Sequence, residues 1–210
     1  MIRSRAVVLG LVAGFLVHAC ATSDLPELPS FDNYGSATID PNEYTYLIGP
    51  GDSLQIFVWR NPEVSQSVVV RPDGKITTPL VEDLPASGKT PFQLARDIEK
   101  VLETYIRQPI VTVIAEGFVG PYSEQIRVVG EATAPQAIPY REQMSLLDVM
   151  ILVGGLTEFA AGNNASIVRV VDGEQRQYRV RIDALLEDGD INANVNMLPG
   201  DILIIPESWF

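Results

Sequence analysis

The sequence predicts an α+β protein: two small mixed domains behind an N-terminal address segment and an extended tether. Three observations predict it. Short β-branched runs alternate with two stretches of helical apolar spacing. Gly117 and the pair Gly120-Pro121 punctuate the chain near its middle. The block Pro-Gly-Asp-x-Leu-x-Ile occurs twice, once from Pro50 to Ile56 and once from Pro199 to Ile205.

The address segment comes first. Arg3 and Arg5 form a short positive region, and Ala6 to Val17 carries no charge. That apolar run is too short to stay in a membrane as a spanning helix and suits the core of an export signal. It ends in Val17-His18-Ala19-Cys20, which resembles a lipobox. The resemblance implies cleavage before Cys20 and acylation of its thiol, so Cys20 is the expected lipid anchor. Ala21 follows it in place of Asp, which by the same resemblance implies delivery to the periplasmic face of the outer membrane. Acyl chains hold a protein at about 0.8 kcal/mol per buried methylene, so no spanning segment is needed. The expected divisions are a signal over 1–19, a lipidated linker over 20–43, a first domain over 44–118 and a second over 122–206, with a tail to 210. The linker holds Leu25-Pro26-Glu27-Leu28-Pro29 and keeps no period of 2 or 3.6.

In the first domain, Ser53 to Trp59 alternates as a strand. Ser67 to Arg71 and Lys75 to Pro79 flank the turn Pro72-Asp73-Gly74 and are expected to pair as a hairpin. Thr90, Pro91 and Gln93 write a helix start with a capping box. Leu94, Ile98, Val101, Leu102 and Tyr105 continue it as one stripe, which Pro109 is expected to stop. Ile110 to Ala115 reads as a strand. In the second domain, Gln125 to Gly130 is a strand, and Ser145 caps a short helix ended by Gly154-Gly155. Ile167 to Val171 and Gln177 to Arg181 flank Asp172-Gly173 as a hairpin, and Ile202 to Ile205 is the last strand. In each Pro-Gly-Asp block, Pro fixes φ at the first turn position and Gly permits a positive φ at the next, a type II turn feeding a strand.

Composition narrows the function. Of 210 residues, 46% are hydrophobic, so the chain folds; 15 Lys and Arg face 27 Asp and Glu, a net charge of −12. That balance argues against nucleic acid, which needs clustered cations. The chain has one Cys and one His, both in the address segment, so no metal and no cofactor is expected. Gly51-Asp52-Ser53-Leu54 spells a hydrolase-like serine block, but the region that folds has no His to serve as base. The same block resembles the opening of a peptidoglycan-binding LysM module, which would turn into a helix where Gln55 to Trp59 alternates. Glu82-Asp83 and Glu187-Asp188 with Asp190 are acid clusters that read as solvated loops. No catalytic residue is expected. Trp59, Tyr122, Tyr140, Trp209 and Phe210 are candidate contacts for saccharide or for a neighbouring subunit.

Together these segments resemble a known family. Tyr46-x-Ile48-Gly49-Pro50-Gly51-Asp52-x-Leu54-x-Ile56-x-Val58-Trp59 resembles the opening of the polysaccharide biosynthesis/export domain. Arg71-Pro72-Asp73-Gly74-Lys75-Ile76, Leu94-Ala95 and Pro109-Ile110-Val111-Thr112-Val113 continue it. Val128-Val129-Gly130-Glu131, Leu146-Leu147-Asp148-Val149, Gly154-Gly155-Leu156-Thr157 and Leu198-Pro199-Gly200-Asp201 are similar to a soluble-ligand-binding β-grasp (SLBB) domain. The chain is thus identified as a member of the outer-membrane polysaccharide export family, in a short form similar to exosortase-associated members. The resemblance implies a homo-oligomeric ring that guides a polysaccharide polymer outward above an inner-membrane copolymerase. Long members end in a pore-forming amphipathic helix, and this sequence stops at Pro206-Glu207-Ser208-Trp209-Phe210, so a separate outer-membrane β-barrel is the expected partner. A monomeric periplasmic saccharide-binding or scaffold lipoprotein is the alternative.

Overall fold

The computed structural model describes residue 38 and residues 40–208. Its elements run β1 (Ser53–Val58), β2 (Gln66–Val69), β3 (Lys75–Thr78), β4 (Val81–Pro85), α1 (Pro91–Leu102), β5 (Val111–Ala115), β6 (Gln125–Gly130), β7 (Ala137–Pro139), α2 (Leu146–Leu152), β8 (Ser166–Val171), β9 (Glu174–Arg179), α3 (Ile182–Leu186) and β10 (Ile202–Ile205). The α+β class is the one the sequence predicts.

Three sheets result. The first is antiparallel in the order β2-β1-β5, and β3 pairs only with β4. The third has the order β7-β6-β10-β8-β9, with β10 parallel to β6 and antiparallel to β8. Alternation in β1 sends Leu54, Ile56 and Val58 inward, where they meet Leu94, Ile98 and Leu102 of α1 in one apolar cluster. A second cluster gathers Ile126, Leu146, Met150, Ile167, Ile182 and Leu203.

Helix termini follow local chemistry. The Thr90 side chain accepts from the Gln93 amide and the Gln93 side chain accepts from the Thr90 amide. Ser145 and Asp148 repeat the arrangement at α2. That helix closes when Gly155 N–H bonds Met150 O at 2.9 Å and Gly154 N–H bonds Ile151 O, a Schellman stop with positive φ at both glycines. Asp172 and Gly173, with φ of 56° and 79°, make the turn between β8 and β9.

Two expectations need correction. The turn at Pro72-Asp73-Gly74 forms, with Gly74 N–H on Arg71 O and Arg71 N–H on Lys75 O. The flanking strands do not pair as a hairpin, however: β2 pairs with β1, and β3 pairs with β4. Val70 stays on the β1 edge through its bonds to Gly51 and Asp52, while the Gly74 carbonyl accepts from Ala86 and Ser87, so the chain changes layer at the turn. Helix α1 also stops at Leu102, before Pro109 is reached. The amides of Tyr105 and Ile106 both close onto Leu102 O, a tight last turn that ends the helix without proline, and Tyr105 is left exposed outside the stripe.

Candidate functional site

The two Pro-Gly-Asp turns build the same local device. Gly51 and Gly200 have φ of 93° and 83°, as a type II turn requires. Each aspartate then turns back on its own turn: Asp52 Oδ2 accepts from Gly49 N–H at 2.9 Å, and Asp201 Oδ2 accepts from Leu198 N–H at 2.7 Å. Both carboxylates are fully buried.

Their remaining partners differ. Asp52 Oδ1 accepts from Val119 N–H at 2.7 Å and Gly120 N–H at 3.0 Å, and Oδ2 also accepts from the Tyr46 hydroxyl. A carboxylate that begins β1 therefore holds the segment that leads from β5 to β6. Asp201 instead takes Arg169 in a two-pronged pair, Nε on Oδ1 at 2.8 Å and Nη2 on Oδ2 at 2.7 Å. Burial works against the Arg169 charge, and its bonds to Asp201 more than offset that, so the guanidinium is held above its ordinary pKa. At the Asp52 side two backbones also touch. A Cβ on Gly49 would lie 2.0 Å from the Gly120 carbonyl carbon, so only glycine fits.

Beside this junction lies a groove of about 690 Å³. Tyr44 and Tyr46, just ahead of β1, supply one wall. Phe118, from the segment held by Asp52, and Tyr140, just after β7, supply others. Tyr44 meets Tyr140 edge to face at 4.9 Å between ring centres, and Tyr46 meets Phe118 at 5.3 Å. Burial and then the nearby Glu124 carboxylate push the Tyr44 phenol up to about 12. Burial, followed by the bond to Asp52, raises Tyr46 further, and burial raises Tyr140.

The aromatic candidates from the sequence are spread over different surfaces. Trp59 is 53% exposed and pairs edge to face with Phe57, on the outer side of the first sheet. Tyr122 is 74% exposed in a short turn before β6. Tyr140 is 5% exposed, packed in the second cluster with the groove beside it. Cys20, Trp209 and Phe210 lie outside the described residues. The turn residues Pro50, Pro72, Asp73 and Pro199 sit in the turns named above.

One member of each acid cluster is engaged structurally. Asp83 bonds Arg71, which also takes Asp73 at 2.7 Å. Asp190 accepts from Asn192 N–H and from Arg181 at 2.9 Å. Its backbone bond to Asn192, more than the Arg181 pair, holds its carboxyl below the usual range. Among the described residues no group of three His, Cys, Asp or Glu is placed to hold a metal ion, and no helix is long and apolar enough to cross a membrane.

Sequence reasoning read the Pro-Gly-Asp blocks as turns alone. It missed that their aspartates are buried hubs, and it missed Phe118, Arg169 and the pairing of Tyr44 with Tyr140. The repeat of Asp after Pro-Gly was the available signal: a turn needs the glycine, but nothing in its backbone requires the carboxylate.

Two family models match the chain. One, described as polysaccharide biosynthesis/export protein, covers residues 40–116, and the SLBB domain model covers 125–180. Among curated proteins, the chain is 26% identical over 186 residues to the EPS I polysaccharide export outer membrane protein EpsA of Ralstonia nicotianae (strain ATCC BAA-1114 / GMI1000). That match covers 77% of this chain and 47% of EpsA. It is 29% identical over 160 residues to the exopolysaccharide production protein ExoF of Rhizobium meliloti (strain 1021), covering 70% of this chain and 36% of ExoF. The chain spans about half the length, or less, of the curated relatives it matches.

Proposed function

We propose, for a chain that belongs to the outer-membrane polysaccharide export family, a role as a lipid-anchored component of an exopolysaccharide export machine. It acts at the periplasmic face of the outer membrane and guides polymer outward without catalysis. The observation that carries this reading is the tandem match, an export domain followed by an SLBB domain, together with similarity to relatives whose names describe polysaccharide export. The two domains are taken as 44–118 and 122–206, a division supported by the two separate apolar clusters. The anchor is Cys20. The partners are the polymer itself, further copies of the chain in a ring, an inner-membrane copolymerase and a separate outer-membrane β-barrel.

The structure supports a passive part in one respect. Two of its buried carboxylates, Asp52 and Asp201, spend their hydrogen-bonding capacity on backbone amides, a tyrosine and an arginine within the protein.

Deletion of the gene is expected to stop polymer release, and Cys20→Ser is expected to mislocalise the protein and lower release. Normal release from cells without the gene would sink the reading. The mass of the detergent-solubilised lipoprotein separates the ring from the monomeric saccharide-binding alternative: a strictly monomeric species, alone and with its copolymerase, favours the latter.

A further inference from the structure

We infer that the groove beside the Asp52 junction is a glycan subsite, taking a short uncharged stretch of saccharide against Phe118 and Tyr46. This rests on the export reading and names where, on this chain, polymer is held.

The walls argue for it. Aromatic rings reach the groove from three separate segments: Tyr44 and Tyr46 ahead of β1, Phe118 between β5 and β6, and Tyr140 after β7. Phe118 is 59% exposed, although its neighbours Val119 and Gly120 are tied down by Asp52, so the ring is held out by a fixed backbone. Sugar rings have apolar C–H faces and a polar rim, and they match such aromatic walls when polar groups stand at the edge. At this edge stand Arg141 and Glu142, both lining the groove. The rim thus carries one cation and one anion. It is locally neutral on a chain of net charge −12, which suits hydroxyl groups better than an acidic polymer. A volume of about 690 Å³ lies within the range of small-molecule sites and has room for a few sugar residues.

The competing occupant is an extended peptide added to β7, the edge strand of its sheet. Strand β7 is only Ala137–Pro139, and Pro139 has no N–H to give. A short edge carrying proline is a poor template for strand addition, so the geometry favours glycan.

The test uses the full chain in detergent and saturation-transfer NMR. The probes are maltotetraose, cellotetraose and a partial hydrolysate of the exopolysaccharide released by the same cells. Saturation is expected to pass to ring protons of at least one probe. Phe118→Ala should weaken that binding roughly tenfold or more, the loss of one aromatic contact. Phe118→Leu, which keeps an apolar side chain, should also weaken it, so a folding defect in the alanine variant does not decide the matter. Phe92→Ala, an exposed ring on α1, should leave it unchanged. The inference is overturned if none of the three probes binds. It is also overturned if Phe118→Leu binds as the parent does, if binding is lost in Trp59→Ala instead, or if a valine-threonine hexapeptide displaces the sugar and binds more tightly. Unchanged binding in Phe118→Leu, in cells where gene deletion does stop release, sinks the groove alone. Normal release after deletion sinks the export reading itself.

Discussion

Asp52 and Gly120 stand far apart in sequence, yet the carboxylate of one accepts the amide of the other at 3.0 Å in a fully buried site. With Val119, Gly49 and Tyr46, that carboxylate accepts from four donors. Asp52→Asn puts an N–H₂ where two of those donors point. It should cost about 2–4 kcal/mol, as a buried group is left unsatisfied. Urea unfolding measures this, and a loss under 1 kcal/mol would show the site relaxes.

Arg169 and Asp201 give a second test with a different expected pattern. Removing only the carboxylate, by Asp201→Asn, leaves a half-buried guanidinium short of its partner and should cost about 3–5 kcal/mol. Arg169→Met in the same background should add little, because the charge that suffered is then gone. A double-mutant cycle by chemical denaturation reads the coupling, and simple additivity would contradict it.

Gly49→Ala and Gly88→Ala separate crowding from backbone strain. An added Cβ at Gly49 lands 2.0 Å from Gly120 backbone, whereas at Gly88 it meets nothing within 4 Å and suffers only from a φ of +78°. Gly88→Ala should cost about 1–2 kcal/mol. Gly49→Ala should cost more and lower the unfolding midpoint further in a thermal scan.

Alkaline pH should weaken the fold through the groove tyrosines. The folded chain keeps Tyr44 protonated up to about 12, while the ordinary value is 10.0. Between those values the unfolded state binds fewer protons, so stability is whole below pH 10 and falls as pH rises toward 12. Tyr46 and Tyr140 are raised too and act in the same direction. Tyr44→Phe should flatten the decline and remove part of the late rise in phenolate absorbance; an unaltered slope would contradict the assignment.

What was legible in the sequence is what near neighbours decide. The start of α1 follows from Thr90, Pro91 and Gln93, and both ends of α2 follow from Ser145 and Gly154-Gly155. The bounds of β6 and β10 follow from runs of branched residues. Partner choice was not legible. Nothing near Pro72-Asp73-Gly74 says that β2 will join β1 while β3 joins β4, because that is settled by burial of Val70 and Ile76 in one core. Strand β7 and helix α3 are too short to show a period. The groove was hidden for the same reason. Its walls come from segments that no local pattern connects: Asp52 ties Tyr46 to the segment after Phe118, and Tyr44 meets Tyr140 directly.

The placement of Tyr44 and Tyr46 has a mechanical side. A pull entering the folded region at Asp40 travels only a few residues before it meets an aromatic contact to Tyr140 and a hydroxyl anchored on Asp52. Tension is therefore divided between a contact with the second apolar cluster and a bond to Asp52 just ahead of β1. Stretching from that end thus loads those two tyrosine contacts before it reaches β1.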